Sequence, residues 1–416
     1  MAPVSPSTGP PPTTAPSTTP GRSRWRRWHV LDLVAVGLAL TGAGCVATGL
    51  LPGAEATATL ARIVPLLLFL GTVVVLAELT AAAGVFDVLA ARLATAARGS
   101  WAALFALCVG FASVTTATLN LDTTAVLLTP VLLALARSLA VPALPLAMTT
   151  VWLANTASLL LPVANLTNIL AADRIGLTPV AYAGRMWLPQ LAAVAVTMVL
   201  LWYWYWRPAR PASGDLPRPE RPVPADRVLH HVAVAACLLF VVGILVGVPI
   251  GVASGAAAGV LVLAFGLRAR RALRPALVPW RLLVLVTGLF LVVGTIGRYG
   301  LHDLMAALVG TDAGAVGAVR AAAVGGLAAN LVNNLPAYVA GEAVVGASDT
   351  TVLLALLIGV NVGPLATPWA SLATLIWYER CRAAGVRIPL GRFCATGAVL
   401  ALVGTAAGVG ALLLVR

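Results

Sequence analysis

Long apolar runs, broken by polar residues at a few places, pattern this chain. A helix needs about 20 such residues to cross a bilayer core. The first run covers 30–50, and Pro52 and Gly53 turn the chain into a second at 63–78. Residues 85–98 set Phe86, Val88, Leu89 and Leu93 against Asp87, Arg92 and Arg98, the pattern of an amphipathic helix at a membrane surface. The segment 101–136 is apolar at both ends, polar at 115–124, and flanked by Arg98 and Arg137. Basic residues at both ends predict a re-entrant hairpin with Asp122 at its tip. A span at 144–170 follows, then one at 186–206 whose aromatic run Trp202–Trp206 predicts an interfacial belt. Spans at 229–247 and 250–267 form a hairpin around Pro249, a second interrupted segment lies at 313–346 with its centre at 330–336, and the last span covers 390–414.

The polar interruptions recur. Residues 153–169 carry Asn155, Thr156, Ser158, Asn165, Thr167 and Asn168 around Pro162, and 360–375 form a second copy. The offset that carries Asn155 onto Asn361 also carries Pro162 onto Pro368, Asn165 onto Ser371 and Asn168 onto Thr374. Likewise 83–90 resemble 299–306, pairing Gly84 with Gly300 and Asp87 with Asp303. A proline removes a helix hydrogen bond, and irregular backbone at membrane depth is tolerated only against protein or a water-filled cavity. Repeated, interrupted membrane segments point to the binding site of a secondary transporter.

These patterns predict an all-α polytopic membrane protein of two inverted repeats, each with a re-entrant hairpin and a broken transmembrane helix. The expected organisation is a Pro/Ser/Thr-rich disordered cytoplasmic tail (1–28), a first membrane repeat (29–206), a cytoplasmic linker (207–228) and a second repeat (229–416). With 60% hydrophobic and 10% charged residues, a soluble domain is excluded. All 27 basic residues are arginine, and they cluster in short loops, so the net charge of +13 reads as a topology signal rather than a nucleic-acid footprint. Arg22, Arg24, Arg26 and Arg27, beside Trp25 and Trp28, put the N-terminus inside. Cys45, Cys108, Cys237, Cys381 and Cys394 form no C-x-x-C pair and read as small buried residues. No zinc-type cluster exists among His29, His230, His231 and His302, so neither a metal nor a cofactor is expected.

Asp122 is the sharpest candidate. A carboxylate at membrane depth is costly and marks a functional site, although an Asp capping a helix that starts at Thr123 needs no function. Asn120 and Thr123 flank it, and Asn333 and Asn334 are the counterpart at the second tip, with Pro336 starting the next helix. Asn155, Thr156, Ser158, Asn165, Asn168, Asn361, Thr367, Ser371 and Thr374 complete the expected lining, some as ligands and some as backbone supports. The four polar stretches hold neutral hydrogen-bonding groups, one carboxylate and no Arg or Lys. That inventory favours a neutral polyhydroxyl solute or a cation over a dianion, with Asp122 a candidate proton carrier. Glu78, Glu342, Arg298 and His302 read as interfacial, and Asp87 and Asp303 as structural caps.

The stretches 119–130, 153–177, 333–341 and 362–377 resemble the arsenite/antimonite efflux permeases, the arsenical pump membrane proteins of the ion-transporter superfamily that also holds the divalent-anion:sodium symporters. The similarity runs from about residue 30 onward, and 363–377, GPLATPWASLATLIW, is its most specific piece. The resemblance implies ten to twelve helices, homodimers and elevator-like movement in a bacterial inner membrane. It implies export of trivalent arsenite or antimonite, as metalloid oxyanion or neutral acid, against inward proton flow. It gives Asn120 and Asp122, Asn333 and Asn334, and Asn155, Ser158, Thr367 and Ser371 as site residues. The chain departs from the family where Leu121 separates Asn120 from Asp122, where Asn155 replaces an Asp, and where Leu365 replaces a Lys. The Ser-Asn-Thr signature of the dicarboxylate and sulfate branch is absent from both tips. A superfamily transporter of another substrate (inorganic anion or dicarboxylate symport, or Na+/H+ exchange) is the alternative. An intramembrane aspartyl protease would need two cooperating aspartates, and one good candidate is present. No nucleotide-binding loop is present; a cytoplasmic ATPase partner is compatible with the chain.

Overall fold

A computed structural model describes residues 30–211, 216, 223–346 and 349–415, all helix and connecting turn. The predicted tail, its arginines, His29, and residues 212–215 and 217–222 of the linker lie outside the described residues. Eight of the described helices are long and apolar enough to cross a membrane. In order, the first repeat comprises α1 (Val30–Ala47), α2 (Gly53–Ala82), α3 (Val85–Ala96), α4 (Trp101–Leu119), α5 (Leu121–Ser138), α6 (Ala143–Thr156), α7 (Leu166–Ile175) and α8 (Pro179–Leu201). The second comprises α9 (Arg227–Leu245), α10 (Ile250–Arg268), α11 (Trp280–Ile296), α12 (His302–Val309), α13 (Gly314–Val332), α14 (Asn334–Glu342), α15 (Thr350–Val362), α16 (Leu372–Ala383) and α17 (Leu390–Leu414). The apolar pattern assigns no span to 280–296; α11 occupies them and packs on α1 and α2.

The repeat visible in the sequence is a repeat of local structure. Gly84 and Gly300 both take positive φ (73° and 111°) ahead of α3 and α12. Asp87 and Asp303 sit in the first turns of these helices without capping them, because Gly84 and Leu301 hold the cap positions; Asp87 reaches Arg137 at 3.9 Å. α4–α5 and α13–α14 are hairpins, turned at Asn120 (φ 110°) and Asn333 (φ 96°). α6–α7 and α15–α16 are helices interrupted at 157–165 and 363–371. Asn165 and Ser371, equivalent by offset, cap the two second halves: their side-chain oxygens accept from the Thr167 and Thr374 amides.

The two hairpins approach the middle from opposite ends. The base of α4–α5 carries Arg137, which lines one cavity with Asp87, Glu78 and Arg380. The base of α13–α14 carries Glu342, which meets Arg174 at the far end of α7. α7 and α16 therefore leave the centre in opposite directions.

Small residues set the closest helix contact. Along α13 and α15, Gly325, Gly326, Gly359 and Gly363 let the backbones touch; a Cβ on Gly359 would stand 2.1 Å from the Ala322 carbonyl oxygen. The aromatic run after α8 departs from the expected belt. Trp202–Trp206 form a wider turn, closed by the Arg207 amide donating to the Trp202 carbonyl at 2.8 Å. Tyr205 and Trp206 are buried, and the Trp206 indole donates to Thr149 at 2.9 Å, so two of the five residues in the run are core rather than interface.

Candidate functional site

The polar stretches converge on the centre of the molecule. At the first tip the helix begins at Leu121, not Thr123, and Asn120 is its cap: its Oδ1 accepts from the Thr123 amide at 2.9 Å. Asparagine tolerates positive φ and caps well, so one residue makes the turn. Asp122 is thereby released from capping. It lies in the first turn of α5, where a helix N-terminus favours an anion. Its Oδ1 is buried without a hydrogen-bond partner. The Thr123 hydroxyl is also buried and unpartnered.

A small pocket of about 40 Å³ joins the two tips. Asp122 lines it from α5, Asn333 and Asn334 from the second tip, Asn165 from the first break, and Leu372 and Leu375 from α16. Beside it lies a vestibule of about 890 Å³ that shares Asp122, Leu66, Leu166, Phe290 and Leu335 with the pocket. The vestibule runs toward Ala343, at the base of the second hairpin.

Behind the pocket the amides are spent on one another. Asn361 Oδ1 accepts from Asn165 Nδ2 at 2.9 Å and from the Thr167 hydroxyl at 2.8 Å, and Asn361 Nδ2 donates to Asn168 Oδ1 at 2.7 Å. Asn168 Nδ2 in turn donates to the Ser158 and Leu161 carbonyls at 2.6 and 2.9 Å. Asn155 Nδ2 donates to the Val151 carbonyl at 2.9 Å and reaches Thr374 at 3.5 Å, while its Oδ1 is buried without a partner. The Ser371 and Thr374 hydroxyls bond each other at 2.8 Å. The Ser158 hydroxyl donates to the Asn155 carbonyl at 2.7 Å, and the Thr156 hydroxyl accepts from Thr197 at 2.9 Å. These groups satisfy backbone that the breaks expose, at a depth where an unmade bond is costly.

Two residues that the motif reading leaves out of its site list organise the breaks. Asn330 Oδ1 accepts from the Ala366 and Thr367 amides, both at 3.1 Å, and its Nδ2 donates to the Gly326 and Gly363 carbonyls, both at 2.8 Å. Its own carbonyl accepts from the Thr367 hydroxyl at 3.0 Å and the Trp369 indole at 2.9 Å. Thr367 is thus tied to α13 and does not line the pocket. Asn333 Nδ2 adds a bond to the Trp369 carbonyl at 2.9 Å. In the first break, Gln190 of α8 accepts from the Leu159 amide at 2.9 Å. A lone Gln inside an apolar run is the only sequence signal for it.

Glu78 bonds Arg380 at 2.6 Å, Glu342 meets Arg174 at 3.9 Å, and Arg298 pairs with Glu55, all away from the pocket. The His302 side chain lies outside what is described. Among the described residues, the pocket lining contains no arginine and no histidine. Chemically, it offers one carboxylate, amide donors and acceptors, and apolar walls.

A family model described as a citrate transporter, CitMHS, matches residues 25–351. An arsenical pump membrane protein of Escherichia coli is 29% identical over 356 residues, covering 79% of this chain and 81% of that protein. One of Yersinia enterocolitica is 28% identical over 354 residues, with the same coverage, 79% and 81%. Among solved structures, the YdaH transporter of Alcanivorax borkumensis matches with a TM-score of 0.46 and 15% identity, covering 92% of this chain and 98% of that one. A membrane transporter and not an enzyme is what these relatives describe. The chain belongs to the citrate transporter family, CitMHS, and its matched relatives are arsenical pump membrane proteins.

Proposed function

We propose that this chain exports arsenite or antimonite, as the neutral trihydroxy acid, in exchange for protons across a bacterial plasma membrane. The observation that carries the reading is the pocket between the hairpin tips, which holds Asp122 among neutral amides and no cationic side chain. A neutral trihydroxy acid matches amide donors and acceptors and needs no counter-charge. Asp122 then serves as the proton carrier: protonated in one direction of the cycle, ionised in the other. The hairpins are re-entrant, the arginine-rich end is cytoplasmic, and the two repeats work as one inverted pair. The chain works as a homodimer; an ATPase subunit is an optional partner.

The family description favours a second reading, citrate. A tricarboxylate buried at membrane depth needs neutralising cations. The described pocket lining supplies none. Purified protein in proteoliposomes with an imposed proton gradient distinguishes the two. Gradient-driven arsenite movement that excess citrate does not reduce supports export of the metalloid. Gradient-driven citrate movement with no arsenite movement overturns it.

A further inference from the structure

The vestibule has walls that a small hydroxylated solute does not explain. It measures about 890 Å³, in the range of sites that enclose drug-sized molecules. Ile63 and Phe69 of α2, Ile169 of α7, Phe290 of α11 and Val339 of α14 form its sides. Thr59 and Asn120 are the only neutral polar side chains among the described lining residues, and Asp122 is the only titratable one. The Asp122 Oδ1 is buried and has no partner, and no arginine lies among the described lining residues to neutralise it.

An apolar enclosure with one unneutralised carboxyl at its inner end selects a particular chemistry. A hydrophobic body gains by leaving water for these walls. A single positive charge gains by meeting the carboxylate away from bulk water, where attraction is strengthened. Phe69 and Phe290 put two aromatic rings in the lining, a surface that also suits a cation. A lipophilic anion meets the same walls and is repelled at Asp122.

We propose that the vestibule is a binding site for lipophilic monocations, with the apolar body on the walls and the charge against Asp122. Such a ligand occupies the way to the hairpin tips and blocks the central pocket. The site does not depend on which solute the pocket carries, so its test is separate from the transport assay.

The full-length protein in phosphatidylcholine nanodiscs is titrated with tetraphenylphosphonium and, separately, with tetraphenylborate, subtracting empty nanodiscs. The two ions have nearly the same size and apolar surface and opposite charge. Saturable binding of the phosphonium, at least tenfold tighter than the borate, is expected. Asp122→Asn loses at least tenfold in phosphonium affinity. Ala340→Trp, which fills the vestibule and leaves the carboxyl in place, loses a similar amount. Equal binding of the two ions, absence of saturable phosphonium binding, or unchanged binding in a folded Asp122→Asn protein overturns the proposal. Where Asp122→Asn does not fold, the comparison of the two ions on the unaltered protein decides, with unchanged affinity in Ala340→Trp counting against the site.

Discussion

Asn165 and Asn361 join the two broken helices: Asn165 Nδ2 donates to Asn361 Oδ1 over 2.9 Å, in full burial. Asn361 makes two further bonds, accepting from Thr167 and donating to Asn168. One amide of the second repeat therefore holds the start of α7 in the first.

Replacing Asn361 by Ala leaves Asn165, Thr167 and Asn168 buried with unmade bonds. Each such group costs about 1–3 kcal/mol, and their sum is softened by rearrangement. Asn361→Ala is expected to lose roughly 2–4 kcal/mol and transport together. A thermal melt in detergent checks this: a melting temperature equal to that of the unaltered protein contradicts the network.

The hairpin tips respond to backbone freedom. Asn120 and Asn333 hold φ of 110° and 96°, where alanine is strained by about 1–3 kcal/mol and glycine is not. Glycine is therefore expected to be milder than alanine at both positions. Asn120→Gly removes the cap on the Thr123 amide, which at a helix N-cap costs only about a few tenths of a kcal/mol, whereas Asn333→Gly removes the bond to the Trp369 carbonyl and is expected to cost more. Melting temperatures of the four variants give the order.

Glu78 and Arg380 bridge α2 and α16 at 2.6 Å, and the Arg380 side chain is only 10% exposed. Removing the acid strands a nearly buried guanidinium. Because Glu78 is 37% exposed, Glu78→Ala is expected to cost about 1–3 kcal/mol, between the surface and buried limits. Glu78→Ala combined with Arg380→Leu recovers part of that loss. A double variant less stable than the single one contradicts the pairing.

Gly359 has no room for a side chain, since its Cβ would lie 2.1 Å from the Ala322 carbonyl oxygen. Backbone cannot rotate away, so α13 and α15 must separate. Gly359→Val is expected to lower stability by about 3 kcal/mol or abolish folding. Gly110→Ala, with nothing within 4 Å, is expected to be neutral or slightly stabilising. Expression and melting of the two variants check the contrast.

Much of this architecture is legible in the residues. The offset between Asn155 and Asn361 anticipates two interrupted helices, and Asn165 and Ser371 prove to be equivalent caps. The reason is physical: breaking a helix at membrane depth demands polar residues at set positions, and those leave a readable trace. The first tip is misread by two residues because Asp and Asn both cap helices; the turn's positive φ selects Asn120. Asn330 falls inside the second polar interruption at 330–336, but its role is not readable, since an Asn in an Ala-rich helix does not announce that a distant backbone needs it. The aromatic run reads as a belt from composition, and only the tertiary fold puts Trp206 in the core.

Asp122 is the test of the whole account, because its buried Oδ1 has no partner and its helix is capped without it. Asp122→Asn keeps shape and cap and removes the ionisable group. Arsenite accumulation is measured in an efflux-deficient bacterial host expressing either protein at matched membrane levels, with and without a protonophore. Lower accumulation with the unaltered protein, lost both in Asp122→Asn and in uncoupled cells, is the predicted result. Arsenite levels that never change, or efflux that survives in Asp122→Asn, contradict it.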